Sequence, residues 1–181
     1  MKKIIVTLAI GGVLCASCSE KNSKFLIGEG SIGTLTKKTA ISELETVFAQ
    51  DSIVRDSARI KLGANSKKIE IYEKGGAHLL TLTPNTDSIP TIENVRVLDS
   101  RYVSDRGISL NSTFEEVQTK YGIKKIVTTL NSIVVFPKSS NLYFTIDKEE
   151  LPSNLRYTTS NIESVQIPAT AKIKYLMIGW E

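Results

Sequence analysis

Two cysteines, one histidine and two adjacent glutamate pairs are the groups of this chain that first suggest chemistry. Cys15 and Cys18 could act as thiolates, as metal ligands or as acyl acceptors. His78 is the sole imidazole, and so the sole ready general base near neutral pH. Glu115-Glu116 and Glu149-Glu150 supply carboxylates of the kind that glycosidases set about 5 to 9 Å apart across a scissile bond. Gly28-Glu29-Gly30-Ser31-Ile32-Gly33 spells G-x-G-x-x-G, a spacing that can cradle pyrophosphate at a helix N-terminus.

Each of these needs a setting, and the sequence supplies it unevenly. Only Phe25-Leu26-Ile27 precede the glycine run, no helix opens at its third glycine, and Thr34 stands where a P-loop would carry lysine. The run reads as a glycine-rich loop, with no nucleotide. His78 begins an apolar strand and is expected to share a face with Leu80 and Leu82, which makes it a core-margin residue. A zinc site would have to combine that one histidine with carboxylates alone, and no G-x-S-x-G elbow supports a serine triad. Glu115-Glu116 sit where a helix's first turn favours acids, and Glu149-Glu150 precede Leu151-Pro152 in a loop. The expected sites therefore hold no catalytic residue, no metal and no cofactor.

Cys18 has the strongest setting. Met1-Lys2-Lys3 is a basic start, residues 4–14 are a short apolar core, and Ala16-Ser17 are small. That order is a secretory signal, too short to span a bilayer as a helix, which needs about 20 apolar residues. The stretch resembles the lipobox of bacterial lipoproteins, with Ala16-Ser17-Cys18 in place and Leu14 one position early. The resemblance implies cleavage after residue 17, acylation of Cys18 and, because Ser19 follows, an outer-membrane anchor facing the periplasm or the cell surface. The alternatives are an exported protein cut near Ala16 and a cytosolic one with an apolar first strand. Cleavage would leave Cys18 as the one cysteine, acylated, and no internal disulfide could form. The signal carries two lysines and no acid, so the formal charge would fall from +4 to +2, which gives no footing for nucleic acid.

The elements behind the tether recur. Residues 41–48 (Ile-Ser-Glu-Leu-Glu-Thr-Val-Phe) and 114–121 (Phe-Glu-Glu-Val-Gln-Thr-Lys-Tyr) are short amphipathic helices in register at an offset of 73. Thr39 is the expected cap of the first; Thr113 with Glu116 forms a capping box on the second, and Gly122 stops it. Strand patterns follow each helix, at 53–62, 67–74, 77–83 and 91–98, then at 124–130, 133–137, 142–147 and 172–180. Gly75-Gly76 and Asn131-Ser132 mark hairpin turns. The predicted fold is α+β, in two similar units of one helix on an antiparallel meander. The expected organisation is a signal peptide at 1–17, a lipidated tether at 18–26, and units at 27–100 and 101–181.

Gly107 to Gly122, with Ser112-Thr113, Glu115-Glu116-Val117 and Tyr121-Gly122, resembles the helix start of small envelope modules: outer-membrane assembly lipoproteins of the SmpA/OmlA type and the tandem β-lactamase-inhibitor-protein fold. Residues 27–48 also resemble envelope lipoproteins of unknown function. The resemblance implies a helix on an antiparallel sheet that binds other proteins, and no individual binding residue carries over. Asp51-Ser52-Ile53, Asp56-Ser57-Ala58 and Asp87-Ser88-Ile89 resemble the O-glycosylation triplet of Bacteroidetes envelope proteins. The expected function is a non-catalytic envelope lipoprotein that binds an envelope protein through its sheet face and the apolar strand ending at Trp180. A binder or inhibitor of an exported hydrolase is the alternative, and a carboxylate hydrolase comes third. Metabolic labelling with a fatty acid tests the anchor: label enters the wild-type chain and is lost from Cys18→Ser, while absence of label from both overturns the localisation.

Overall fold

Alternating apolar and polar residues give this chain strands with one dry face and one wet face, and the dry faces form one continuous surface. A computed structural model describes residues 23–55 and 68–180. Cys18, the signal and the Asp56-Ser57-Ala58 triplet lie outside the described residues. A small sheet of four short strands, β1 (Leu26–Gly28), β2 (Ser31–Ile32), β3 (Leu35–Thr36) and β8 (Val103–Ser104), has the order β3-β2-β1-β8. The main sheet contains β4 (Asp51–Arg55), β5 (Ile69–Glu73), β6 (His78–Pro84), β7 (Ile92–Val97), β9 (Ile123–Thr128), β10 (Ser132–Pro137), β11 (Leu142–Asp147) and β12 (Ile173–Gly179). It is antiparallel throughout, in the order β4-β5-β6-β7-β12-β11-β10-β9.

The two meanders are thus fused into one sheet rather than standing as separate bodies. The last strand of each pairs with the last strand of the other, Leu176 opposite Val97 and Ile178 opposite Val95. One apolar row crosses all eight strands: Ile53, Ile71, Leu80, Val97, Leu176, Phe144, Val135 and Ile126. A single core covers this face. It includes Ile27, Ile32 and Leu35 of the small sheet, Leu44 and Phe48 around α1 (Leu44–Val47), and Phe114, Val117 and Tyr121 of α2 (Phe114–Tyr121). The architecture is α+β with a large excess of sheet over helix.

Helix starts match their sequence signals with one correction. Glu116 accepts a hydrogen bond from the Thr113 amide at 2.8 Å, and Gly122 ends α2 at φ 67°. The first helix is shorter than its eight-residue pattern: a 3₁₀ turn at Ile41–Glu43 runs into the single α-turn α1. Its N-cap is Ala40, not Thr39, and Glu43 accepts from the Ala40 amide at 2.9 Å. The buried Thr39 hydroxyl instead takes the Thr36 amide, so its capping capacity goes to the turn before the helix. Ala40 and Thr113, themselves 73 apart, each form an isolated antiparallel bridge to the residue just before the last strand of their meander, Thr91 and Lys172.

From Ser23 onward the expected tether already belongs to the fold. Lys24 pairs with Asp51 at 2.9 Å and with Glu73 at 3.5 Å. Phe25 packs edge-on against Tyr102, under the Arg101 guanidinium. Gly33, at φ 55°, lies against the Lys24 carbonyl, where an added Cβ would come within 2.4 Å of that oxygen. Arg101 bridges Glu73 and Asp99, each at 2.7 Å, and its hydrogen bonds hold both carboxyls below their ordinary range. Carboxyls lowered in the fold stabilise it fully above their unfolded pKa, near 4, and that contribution is lost as pH falls through the folded values. Arg101→Ala is therefore expected to be less stable than wild type at pH 7, with the gap closing as urea midpoints are followed from pH 5 towards pH 2; a gap independent of pH would contradict the linkage.

Candidate binding surface on the open sheet face

Side chains that alternate with the core row stand on the other face of the main sheet, and no helix or strand covers them among the described residues. Glu70, Thr81, Arg96, Met177 and Tyr143 form a row across β5, β6, β7, β12 and β11. A depression of about 380 Å³ opens there, floored by Thr81, Arg96, Met177 and Thr145 and walled by His78, Tyr143 and Tyr175. It straddles the β7–β12 pairing, so its two halves come from opposite ends of the sequence.

Aromatic rings order this surface in pairs. The Arg96 guanidinium lies 3.9 Å from the centre of the Tyr175 ring. Tyr72 and His78 stack with centroids 4.3 Å apart, and Phe136 and Tyr143 stack at 5.6 Å. The Tyr143 hydroxyl accepts from the Asn94 side-chain amide, and burial raises its pKa. Tyr72 donates to Glu70 at 2.9 Å, which raises the Tyr72 pKa and satisfies the carboxylate nearest the depression. Among the described residues Arg96 has no carboxylate within ion-pair distance, and its buried Nε–H has no acceptor. Buried polar atoms are nearly always bonded, so the unmatched Nε–H of an arginine stacked on a tyrosine is the exceptional group of this face.

The residues singled out by sequence fall in different places. His78 is on the open face with Thr81, not on the dry face with Leu80 and Leu82. A β-bulge between the Ile71–Leu80 and Tyr72–His78 pairs inserts Leu79, which turns His78 over. Its ring lies 3.4 Å from the Thr81 hydroxyl. Glu116 is taken up by its cap, and Glu150 accepts from the Lys172 amide at 3.1 Å. Glu115 and Glu149 are exposed, and none of these four carboxylates lines the depression. No group of three or more potential metal ligands occurs among the described residues.

Gly28 to Gly33 forms the β1–β2 hairpin, with Gly28 opposite Ser31 and Gly33 leading into β3, a strand rather than a helix. The strand that ends before Trp180 is paired on both sides, at the centre of the sheet, so it offers no free edge to a partner. Ser52 is exposed in the edge strand β4, and Asp87-Ser88-Ile89 is exposed in the β6–β7 loop. Among the described residues no helix is long and apolar enough to cross a membrane. Arg96 and Tyr175 escaped sequence reasoning because no motif contains them; the legible signal was a charged residue between two β-branched ones, Val95-Arg96-Val97.

The sequence matches no family model and no curated protein. Among solved structures it is similar to the crystal structure of a protein described as uncharacterized, yfeY from Escherichia coli, with a TM-score of 0.57 and 16% identity. The likeness covers 85% of this chain and 99% of that one, and it extends to the fold alone.

The two effects of the Arg96 side chain on the fold oppose one another. Removing the unmatched Nε–H relieves roughly 1–3 kcal/mol of desolvation, and losing the ring contact costs roughly 0.5–2 kcal/mol. Arg96→Met is therefore expected to leave the urea unfolding midpoint unchanged or raised. Destabilisation by more than about 2 kcal/mol would show that Arg96 is structural.

Proposed function

We propose that this chain is a non-catalytic envelope lipoprotein, held at the outer membrane by lipid on Cys18, whose open sheet face binds another envelope protein. The observation that carries the reading is the Arg96–Tyr175 stack at the centre of an uncovered, aromatic-rich face. Arginine and tyrosine supply much of the energy of protein interfaces when they lie centrally and can be desolvated. The lipobox and the likeness of residues 107–122 to envelope modules support the setting.

The two halves are also proposed to be copies of one unit. The strand order mirrors about the β7–β12 pair, and the glutamate-to-amide cap and the isolated bridge both recur at an offset of 73. Inhibition of an exported hydrolase through loops is the second reading. Leu130, Tyr157 and Val165 are strongly exposed apolar residues. The buried Lys148 ammonium ties two of their loops together, donating to the Leu130 carbonyl at 3.1 Å and to the Thr158 carbonyl at 2.6 Å.

Site-specific photocrosslinking in intact cells separates the two. A photoreactive residue at Met177 or Tyr175 is expected to capture one defined envelope protein, and Arg96→Ala to reduce that capture several-fold, while the same group at Glu115 captures nothing specific. Capture from Leu130 or Tyr157 alone, together with slowing of an exported hydrolase by the purified protein, would replace the first reading with the second. No specific adduct from either surface would overturn both.

A further inference from the structure

At the end of the sheet, beyond the β10–β11 turn, a second and larger cleft of about 640 Å³ has a composition unlike the open face. Its apolar wall comes from Phe136, Pro137, Leu142 and Trp180. Three ammonium groups, Lys37, Lys124 and Lys125, stand around it. None of the three has a carboxylate within ion-pair distance among the described residues, and Lys125 lies over the Phe136 ring, 4.6 Å from its centre. Glu29, the one acid on the rim, is fixed through its backbone carbonyl, which accepts from the Asn141 side chain. The turn that floors the cleft carries Ser139 at φ 47°, the one non-glycine residue with positive φ among those described. Such backbone strain persists where the surroundings enforce it.

Trp180, 6% exposed, completes the wall, and its indole N–H is closed to solvent. A cleft that joins ammonium groups without ion-pair partners among the described residues to an aromatic-aliphatic wall is complementary to an anionic head on a short apolar body. Its volume lies in the range of small-molecule sites, roughly 300–1,000 Å³. We propose that this cleft is a binding site for a small amphiphilic carboxylate or phosphate, with the head near Lys124 and Lys125 and the body against the Phe136 ring. The site is separate from the Arg96 surface, although Tyr143 borders both. Its failure would leave the sheet-face reading intact.

Trp180 is the sole tryptophan, so the protein carries its own reporter. The full chain carrying Cys18→Ser, free of lipid and detergent, is titrated with octanoate well below its micelle concentration. The single indole ¹⁵N–¹H resonance and the tryptophan fluorescence are followed together. A saturable indole shift is expected, with octan-1-ol, the same body without charge, binding at least about tenfold more weakly. The double variant Lys124→Ala/Lys125→Ala, on an exposed edge strand where folding tolerates it, is expected to weaken octanoate by about tenfold, which is 1.4 kcal/mol. Equal affinity for octanoate and octan-1-ol, or an unchanged constant in the double lysine variant, would overturn the anionic site. The absence of any saturable shift in a folded protein would overturn it entirely.

Discussion

Everything in this molecule depends on the antiparallel pairing of β7 with β12. Without it there are two four-stranded ribbons, each with an open apolar edge; with it there is one sheet whose dry face is unbroken from Ile53 to Ile126. The bonds themselves are ordinary backbone hydrogen bonds, worth roughly 1 kcal/mol each net of water. Their larger effect is to align Val97 with Leu176 and Val95 with Ile178, so that one core can be buried by both halves together. The same pairing places Arg96 beside Met177 and brings Tyr175 under the guanidinium, which makes the candidate surface a product of the seam.

An eight-stranded sheet buried on one side leaves a broad second side, and the sequence has furnished it unevenly. Core positions are Ile, Leu, Val and Phe, as hydrophobic burial at about 25 cal/mol per Å² requires. Wet-face positions combine Glu70, Thr81 and Thr145 with Tyr72, Phe136, Tyr143, Tyr175 and Met177, all half-buried. Tyr72, Phe136, Tyr143 and Tyr175 are held in ring contacts by their neighbours. Rings immobilised in the free protein lose little entropy on binding. The free edges are treated differently: Lys124 and Lys125 stand exposed on β9, where charge discourages pairing with a second sheet.

Local signals were legible and long-range ones were not. Period-two alternation located seven of the eight strands of the main sheet; the other, expected at 53–62, overlaps β4 (Asp51–Arg55) by three residues and otherwise lies outside the described residues, and Gly75-Gly76, both at positive φ, marked the hairpin between β5 and β6. The capping box at Thr113 stood out because it is written in four consecutive residues. Thr39 misled because a hydroxyl can close a turn as readily as a helix, and Glu43 needs only the Ala40 backbone amide to cap without it. His78 misled because a bulge shifts the alternation by one and leaves no mark in composition. The place of β12 was hidden for another reason: an apolar strand has the same pattern at an edge and in the middle. Only the pairing of residues some 80 positions apart, Val97 with Leu176, decides which. Arg96 and Trp180 drew no site assignment for the same reason, since an unmatched donor is recognisable only once its neighbours are known.

The mirror order of the strands also governs when the protein can become itself. β12 follows every other described strand in the chain, yet it occupies the middle of the sheet. Until residues 173–179 arrive, β7 and β11 both present bare ladders, and neither meander can complete its core. The first half must wait through some 75 residues of chain, from Val97 to Ile173, before its own last strand is paired. Contacts of such sequence separation are slow to form, because the loop must be closed before the contact rewards it. The sheet is therefore completed by the strand made last among those described, and without it both of its neighbours keep an unpaired edge.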